Sequence, residues 1–190
     1  LSANSQDFAS TDDKQIQSAF VSAITALRQA HKVKHGRWHA AGGLYELPWY
    51  AIIGPPGSGK TTTLMNSNLS FPLADQFGRQ GLRGVGGTRL CDWWFTEEAV
   101  LIDTAGRFTS QTSDKARDQA GWLSFLQSLK KYRPSQPLNG IIVVLSAAEL
   151  LDESSLTATL DNLKLRLQEI YSGLSHNIPV YLIINKMDLL

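Results

Sequence analysis

Residues 54–61 read Gly54-Pro55-Pro56-Gly57-Ser58-Gly59-Lys60-Thr61, which fits G-x-x-x-x-G-K-[ST] at every fixed position. Backbone N–H groups in such a loop, and the N-terminus of the helix after it, attract phosphate oxygens. The apolar run 49–53 predicts a strand before the loop, and residues 62–65 predict the opening of a helix. We therefore expect nucleotide phosphates to be bound by Gly54, Pro55, Pro56, Gly57, Ser58, Gly59, Lys60, Thr61 and Thr62.

Within that loop, Lys60 is expected to reach the β- and γ-phosphates, and the Thr61 hydroxyl is expected to ligate Mg²⁺. A second motif, Asp103-Thr104-Ala105-Gly106, follows the apolar run 99–102. A carboxylate at the end of such a strand can hold Mg²⁺, usually through a water. Gly106 lacks a Cβ, so its N–H can approach a γ-phosphate closely. For this motif, the alternative is an ordinary turn after a buried strand.

A third motif, Asn185-Lys186-Met187-Asp188, comes directly after the strand-like run 180–184. In GTP-binding proteins an N-K-x-D segment reads the base, because its Asp accepts from the two N–H groups that guanine offers. Asp188 is therefore predicted to select GTP, Asn185 to brace neighbouring loops, and the stem of Lys186 to cover the base. The next base-contacting loop lies beyond this sequence, so ATP remains the alternative.

Two further residues are candidates for the catalytic machinery. Thr88, in the glycine-rich segment 84–89, is predicted to coordinate Mg²⁺ as a switch residue, the alternative being a side chain that merely faces solvent. Arg107 stands where many switch GTPases place a Gln that orients water. Arginine cannot accept a hydrogen bond, so it either stabilises phosphoryl charge or is solvated. With Lys60, Asp103 and Gly106, these residues form a catalytic set for which we expect slow intrinsic hydrolysis, about 10⁻³ s⁻¹ or less.

The composition is that of a folded chain. It has 190 residues, 43% of them hydrophobic and 18% charged, and a net charge of +1, which gives no argument for binding nucleic acid. Its single cysteine, Cys91, excludes an internal disulfide and suits a reducing compartment. No run approaches the roughly 18 apolar residues of a membrane span. The opening is polar and lacks an initiator Met, so we expect a segment of a longer protein.

Strands alternating with helices predict an α/β fold: a P-loop, small-GTPase-like, mainly parallel sheet with helices on both faces. Residues 1–43 are expected to form an amphipathic N-terminal helix, capped by Ser10 or Thr11, and a flexible Ala41-Gly42-Gly43 linker. Residues 44–190 are expected to form the nucleotide-binding domain. Within it we predict one antiparallel hairpin around residues 92–102 and a helix capped by Ser113.

Four stretches together resemble the IcmF/TssM family: Leu47-Pro48-Trp49-Tyr50 leading into the phosphate loop, Gly84-Val85-Gly86-Gly87-Thr88-Arg89, Cys91-Asp92-Trp93-Trp94-Phe95 and Asp103-Thr104-Ala105-Gly106-Arg107. That family contains large inner-membrane components of bacterial type VI secretion systems, with relatives in type IV systems. The resemblance covers residues 44–188, and its Gly-Gly-Thr-Arg and Cys-Asp-Trp-Trp segments are more specific than the phosphate loop.

The resemblance implies a nucleotide-binding portion at the cytoplasmic face of the inner membrane, with transmembrane helices outside this sequence. It also implies partners within the secretion machine, namely a TssL-like membrane protein and baseplate components. Two functions are consistent with it. One is a Mg²⁺-dependent switch with slow hydrolysis that supports assembly or secretion. The other is a scaffold in which bound nucleotide only stabilises a docking surface, or the equivalent component of a type IV system.

Overall fold

The computed structural model describes residues 2–35, 43–71, 90–111, 114–174 and 177–189. These residues form an α/β fold with a five-stranded sheet. The strands are β1 (Trp49–Ile53), β2 (Cys91–Phe95), β3 (Val100–Thr104), β4 (Gly140–Ser146) and β5 (Val180–Asn185). The helices are α1 (Ser2–His35), α2 (Gly43–Glu46), α3 (Lys60–Met65), α4 (Gly106–Ser110), α5 (Lys115–Tyr132), α6 (Ala147–Leu151) and α7 (Glu153–Leu174), and a 3₁₀ helix spans Met187–Leu189.

The strand order is β2-β3-β1-β4-β5. Strand β1 lies between β3 and β4 and is parallel to both, and β5 is parallel to β4. Strand β2 is antiparallel to β3 and forms an edge of the sheet. The predicted mainly parallel sheet with one antiparallel hairpin is therefore confirmed. Because β1 and β3 run in the same direction, the loops that follow them meet at one edge of the sheet.

Side chains alternate between two faces of the sheet, and helices cover the faces unequally. On one face, Trp93 and its neighbours join a large core with apolar residues of α1, α5 and α7. On the other face, Trp94 and Leu101 pack with Leu64 of α3. Both tryptophans of the adjacent pair are therefore buried, on opposite faces, as the period of a strand requires. The prediction of helices on both faces is confirmed.

Helix α1 packs into the same core as the sheet. The apolar side of this predicted amphipathic helix is buried, and Phe20 meets Trp93 edge to face with the ring centroids 4.9 Å apart. The predicted start at Ser10 or Thr11 is wrong, because the helix begins at Ser2. No Pro or Gly interrupts residues 2–11, so nothing in the local sequence stops the helix from extending backwards. No helix in the described ranges has the length and apolar character that crossing a membrane requires.

Two other local predictions need correction. The expected linker residue Gly43 begins helix α2, while Ala41 and Gly42 lie outside the described residues. The guanidinium of Arg133 donates to the carbonyl of Leu44 in this helix (3.0 Å) and to that of Leu47 just after it (3.2 Å). These hydrogen bonds hold the segment in place.

The cap of helix α5 also differs from the prediction. Ser113 lies outside the described residues, and the cap is Asp114, whose side chain accepts from the N–H of Arg117 at 3.1 Å. Asp and Ser cap helices by the same kind of contact, so residue type alone does not distinguish Ser113 from its neighbour Asp114.

Candidate functional site

A cleft of about 400 Å³ lies where the loops after β1 and β3 meet. Most of the residues predicted to bind nucleotide or metal line it. They are Pro56, Gly57, Gly59, Lys60, Thr61, Thr62, Asp103, Gly106 and Lys186. The loop residues Gly54, Pro55 and Ser58 are buried and do not line the cleft. Thr88 lies outside the described residues, so its predicted role stays a prediction.

The loop after β1 is organised around the ammonium group of Lys60. Its Nζ donates to the carbonyls of Gly54 (2.8 Å) and Pro55 (3.0 Å), and the side chain is buried. Burial lowers the pKa of Lys60, and the charges of Asp103 and Glu149 oppose that effect. The loop therefore presents a fixed positive charge inside the cleft.

The backbone of this loop depends on glycine at Gly59. Gly59 has φ 87°, a left-handed conformation, and a Cβ there would lie 2.5 Å from Nδ2 of Asn185. That amide nitrogen donates to the carbonyl of Ser58 (2.8 Å) and to Oγ1 of Thr63 (3.0 Å). Asn185 thus braces the loop through these two hydrogen bonds, while its role in a base-reading motif stays a prediction.

Asp103, at the end of β3, meets Thr61 at the start of α3. The Thr61 hydroxyl donates to Oδ2 of Asp103 at 2.5 Å, whereas Oδ1 of Asp103 is buried and has no hydrogen-bond partner among the described residues. Burial raises the pKa of Asp103, and the Thr61 hydrogen bond and the charge of Lys60 counteract it. An unsatisfied buried carboxylate oxygen is costly unless a cation or a proton neutralises it.

The oxygen-rich surroundings of Asp103 fit Mg²⁺. This ion prefers oxygen ligands and is commonly bound by one or two carboxylates, substrate phosphates and waters. Thr61 and Asp103 supply a hydroxyl and a carboxylate side by side. The described residues contain no cluster of three or more His, Cys, Asp or Glu side chains that could hold a metal alone. A cation here would therefore need phosphate or water oxygens to complete its shell.

Gly106 holds the loop after β3 against the loop after β1. A Cβ on Gly106 would lie 2.6 Å from both Cα and N of Pro56, so no larger residue fits without moving backbone. Its neighbour Thr104 donates from Oγ1 to the carbonyl of Ile52 at 2.7 Å. The two loops are thus in close contact, and Gly106 lines the cleft. The approach of its N–H to a γ-phosphate stays a prediction.

The N-K-x-D segment is divided between the cleft and solvent. Lys186 adopts φ 54° and donates from Nζ to the carbonyl of Gly57 at 2.7 Å, so its stem runs along the cleft. Asp188 is exposed on the 3₁₀ helix and does not line the cleft. The reading of a guanine base by Asp188 stays a prediction.

Arg107 differs from both roles that the sequence left open. Its side chain is 22% exposed and forms ion pairs with Asp12 of α1 (3.1 Å) and with Asp118 of α5. The interpretation as a solvated side chain is therefore wrong, because two carboxylates, both buried, hold the guanidinium. Arg107 does not line the cleft either. It connects helix α4, which follows β3, to helix α1, a contact between residues 95 positions apart that no local pattern reveals.

Sequence reasoning missed Asp92 as a residue of the site. Asp92 lines the cleft and lies directly opposite Asp103 in the antiparallel β2–β3 pair. The predicted hairpin contained a signal for it. Asp92 lies near the start of the first strand of that hairpin, and Asp103 lies near the end of the second, so antiparallel pairing brings the two residues together. Thr109 was also missed; its Oγ1 accepts from the N–H of Gly54 at 3.2 Å and supports the start of the loop.

Known proteins resemble this chain in two respects. Residues 115–190 match the model of the IcmF-related N-terminal domain. The chain is also 53% identical over 148 residues to a protein of Pseudomonas aeruginosa named type VI secretion system component TssM1. The aligned region makes up 77% of this chain but only 13% of that relative, so the chain spans a small part of its length. With this identity over more than two thirds of its residues, the chain belongs to the IcmF/TssM family.

Proposed function

We propose that this chain is a nucleotide-binding switch domain with a P-loop, small-GTPase-like fold that takes GTP, or alternatively ATP, together with Mg²⁺. The observation that carries the proposal is the contact between Thr61 and Asp103, beside Lys60, with one oxygen of Asp103 to which no described residue donates a hydrogen bond. A positive charge, a hydroxyl and a carboxylate at one end of a cleft of about 400 Å³ suit a metal–phosphate ligand.

Each residue has a defined task in the proposed site. Lys60 exchanges its bonds to the loop carbonyls for phosphate oxygens, and the N–H of Gly106 donates to the terminal phosphate. Thr61 and Asp103 hold Mg²⁺, which when bound neutralises phosphate charge. Thr88 would complete the metal shell as a switch residue.

Slow hydrolysis follows from the position of Arg107. Its guanidinium is engaged by Asp12 and Asp118, so it is not available to stabilise charge in the cleft. A side chain that orients the attacking water is thus missing at the position where many switch GTPases have one. We expect turnover of about 10⁻³ s⁻¹ or less without a partner protein.

The wider role is that of a secretion component. The relative from Pseudomonas aeruginosa is named as part of a type VI secretion system, which favours this system over a type IV system for the present chain. We propose that the domain works at the cytoplasmic face of the inner membrane, through partners such as a TssL-like membrane protein and baseplate components. Its nucleotide state would time assembly or secretion.

A scaffold is the second candidate function, and one observation favours it. Carbonyls of the phosphate loop already accept hydrogen bonds from other parts of the protein, namely from the side chains of Lys60, Asn185 and Lys186. Such a loop keeps its shape without ligand. Bound nucleotide at about 100 times its dissociation constant would then add only about 2.7 kcal/mol of stability and need not change the conformation.

Calorimetric titration with non-hydrolysable GTP and ATP analogues in Mg²⁺ tests the binding proposal. Wild type should bind, Lys60→Ala should lose at least tenfold in affinity, about 1.4 kcal/mol, and the exposed-site control Lys164→Ala should match wild type. Asp188→Asn should abolish any preference for GTP over ATP. If wild type binds neither analogue, or if Lys60→Ala binds as well as wild type, the proposed function is wrong.

A second experiment separates the switch from the scaffold. Lys60→Ala is introduced into the complete protein, and secretion and assembly of the membrane complex are measured together. Loss of secretion with assembly intact supports the switch. Loss of both secretion and assembly supports the scaffold, provided that thermal melting shows the variant to be folded.

A further inference from the structure

We propose that Asp92 is a second carboxylate of the cation site and acts, directly or through one bound water, on the Mg²⁺ held by Thr61 and Asp103. The inference rests on the proposed function and deepens it. It assigns a binding role to a residue of β2, an edge strand that carries none of the motifs described for phosphate, metal or base.

The first argument is the register of the hairpin. In the antiparallel β2–β3 pair, Asp92 stands opposite Asp103, and Trp94 stands opposite Leu101. Residues directly opposite each other point to the same face, with Cβ atoms about 4.5–5.5 Å apart. Trp94 and Leu101 are packed in the cluster beneath helix α3. By alternation, the two carboxylates lie on this same face, which is also the face that helix α3 covers and on which Thr61 contacts Asp103.

The second argument is that both carboxylates border the cleft. Asp92 is half-buried, whereas Asp103 is only 6% exposed, so Asp103 has little access to water. A cation between the two carboxylates gives Oδ1 of Asp103, which has no hydrogen-bond partner among the described residues, a ligand.

The third argument is reach. Mg²⁺ binds oxygen at about 2.0–2.1 Å and usually keeps several waters. Two carboxylates on Cβ atoms about 5 Å apart can therefore contact one ion directly, or one directly and the other through a water. Asp103 and Thr61 take the inner position, since they touch each other at 2.5 Å. Asp92, at the more open side, takes the outer one.

The test compares Mn²⁺ binding, followed by electron paramagnetic resonance, with a non-hydrolysable GTP analogue present. The proteins are wild type, Asp92→Asn, Asp92→Glu, Asp103→Asn and the charge-matched control Glu97→Gln, whose carboxylate lies in the turn at the other end of the hairpin. Asp92→Asn should raise the Mn²⁺ dissociation constant about tenfold or more, as the loss of an outer metal partner does. Asp92→Glu should recover most of the affinity, and Glu97→Gln should match wild type.

A second readout excludes a merely structural Asp92. Melting is compared in EDTA, which removes the cation, and in Mn²⁺ with the analogue. Asp92→Asn should lower the melting temperature more in Mn²⁺ than in EDTA, because only the loaded site uses this carboxylate for binding. An equal loss under both conditions, or failure of Asp92→Asn to fold, would show that the carboxylate serves the fold alone, and the inference would fall.

The outcomes also separate this inference from the function on which it rests. If Asp103→Asn weakens Mn²⁺ binding while Asp92→Asn does not, only the role of Asp92 is overturned. If wild type binds no Mn²⁺ with the analogue, both are overturned.

Discussion

The ion pairs of Asp12 allow a quantitative test of how helix α1 is held. Asp12→Ala removes a carboxylate that is 3% exposed and that accepts from Nη2 of Arg107 (3.1 Å) and from Nε (2.7 Å) and Nη2 (2.8 Å) of Arg117. Hydrogen bonds to charged groups contribute about 1.5–3 kcal/mol each, and breaking a fully buried pair costs about 3–5 kcal/mol.

The exposure of the two arginines reduces that cost. Their side chains are 22% and 33% exposed, so water replaces part of what each loses. We therefore expect Asp12→Ala to lower the free energy of unfolding by about 2–3 kcal/mol. For a chain of this size the melting temperature falls by about 4–12 °C. The matched control is Asp161→Ala, an exposed carboxylate within α7, which should change stability by less than about 0.5 kcal/mol.

The same carboxylate predicts a dependence on pH. Burial would raise the pKa of Asp12, but the hydrogen bonds from Arg117 and Arg107 outweigh it and leave the pKa below the ordinary value of 3.8. A lowered pKa stabilises the folded state above the unfolded value, and the contribution disappears as pH falls through the folded pKa. Denaturant unfolding should show the full gap between wild type and Asp12→Ala at pH 7 and a smaller gap below about pH 3.8.

Two results would refute this reasoning. If Asp12→Ala is no less stable than Asp161→Ala, the ion pairs contribute nothing measurable, and apolar packing alone holds α1. If the gap persists unchanged in acid, the loss comes from packing around the side chain and not from its charge.

Three further predictions concern single residues. Gly106→Ala should lower the free energy of unfolding by about 1–3 kcal/mol, because its Cβ would meet the backbone of Pro56 at 2.6 Å. It should also weaken nucleotide binding. Denaturant unfolding and calorimetry measure the two effects, and unchanged values for both would contradict the contact. Arg133→Lys should lower the free energy of unfolding by about 2–4 kcal/mol in the same assay, since a lysine cannot reproduce three fixed donors between two aromatic rings. A decrease of less than about 0.5 kcal/mol would show that the geometry of the guanidinium is unimportant. Burial raises the pKa of the Cys91 thiol to about 12. A thiol reagent at pH 8 should therefore modify the native chain at least about 100-fold more slowly than the urea-unfolded chain. Equal rates would show that the thiol is accessible.

The parts of the fold that depend on short-range patterns could be predicted from the sequence. Strand β1 lies at the predicted residues 49–53, because an apolar run followed by a glycine-rich loop leaves few other conformations. The hairpin was also predictable. Thr96 closes its turn by accepting from the N–H groups of Glu98 (3.1 Å) and Ala99 (2.8 Å), a local bond typical of this residue type.

The parts that depend on contacts between distant residues could not be predicted. The partner of Arg107 on α1 is 95 residues away, and the two buried carboxylates around Arg107 belong to different helices. No periodicity encodes such a pairing. Arg133 is similar, since its acceptor at Leu44 is 89 residues away. In the site, the motifs located Thr61 and Asp103, but their direct contact follows only from the parallel pairing of β1 with β3.

Because Cys91 is buried, a cysteine introduced elsewhere can be labelled selectively in the otherwise unmodified chain. The sequence contains no other cysteine, and this one is enclosed in strand β2. A cysteine introduced at an exposed position would therefore be the fastest-reacting thiol without any prior removal of native ones. Leu182 in β5, which is 60% exposed, is one such position. A single spin label or fluorophore there would report changes in the local environment of this strand as ligands are added.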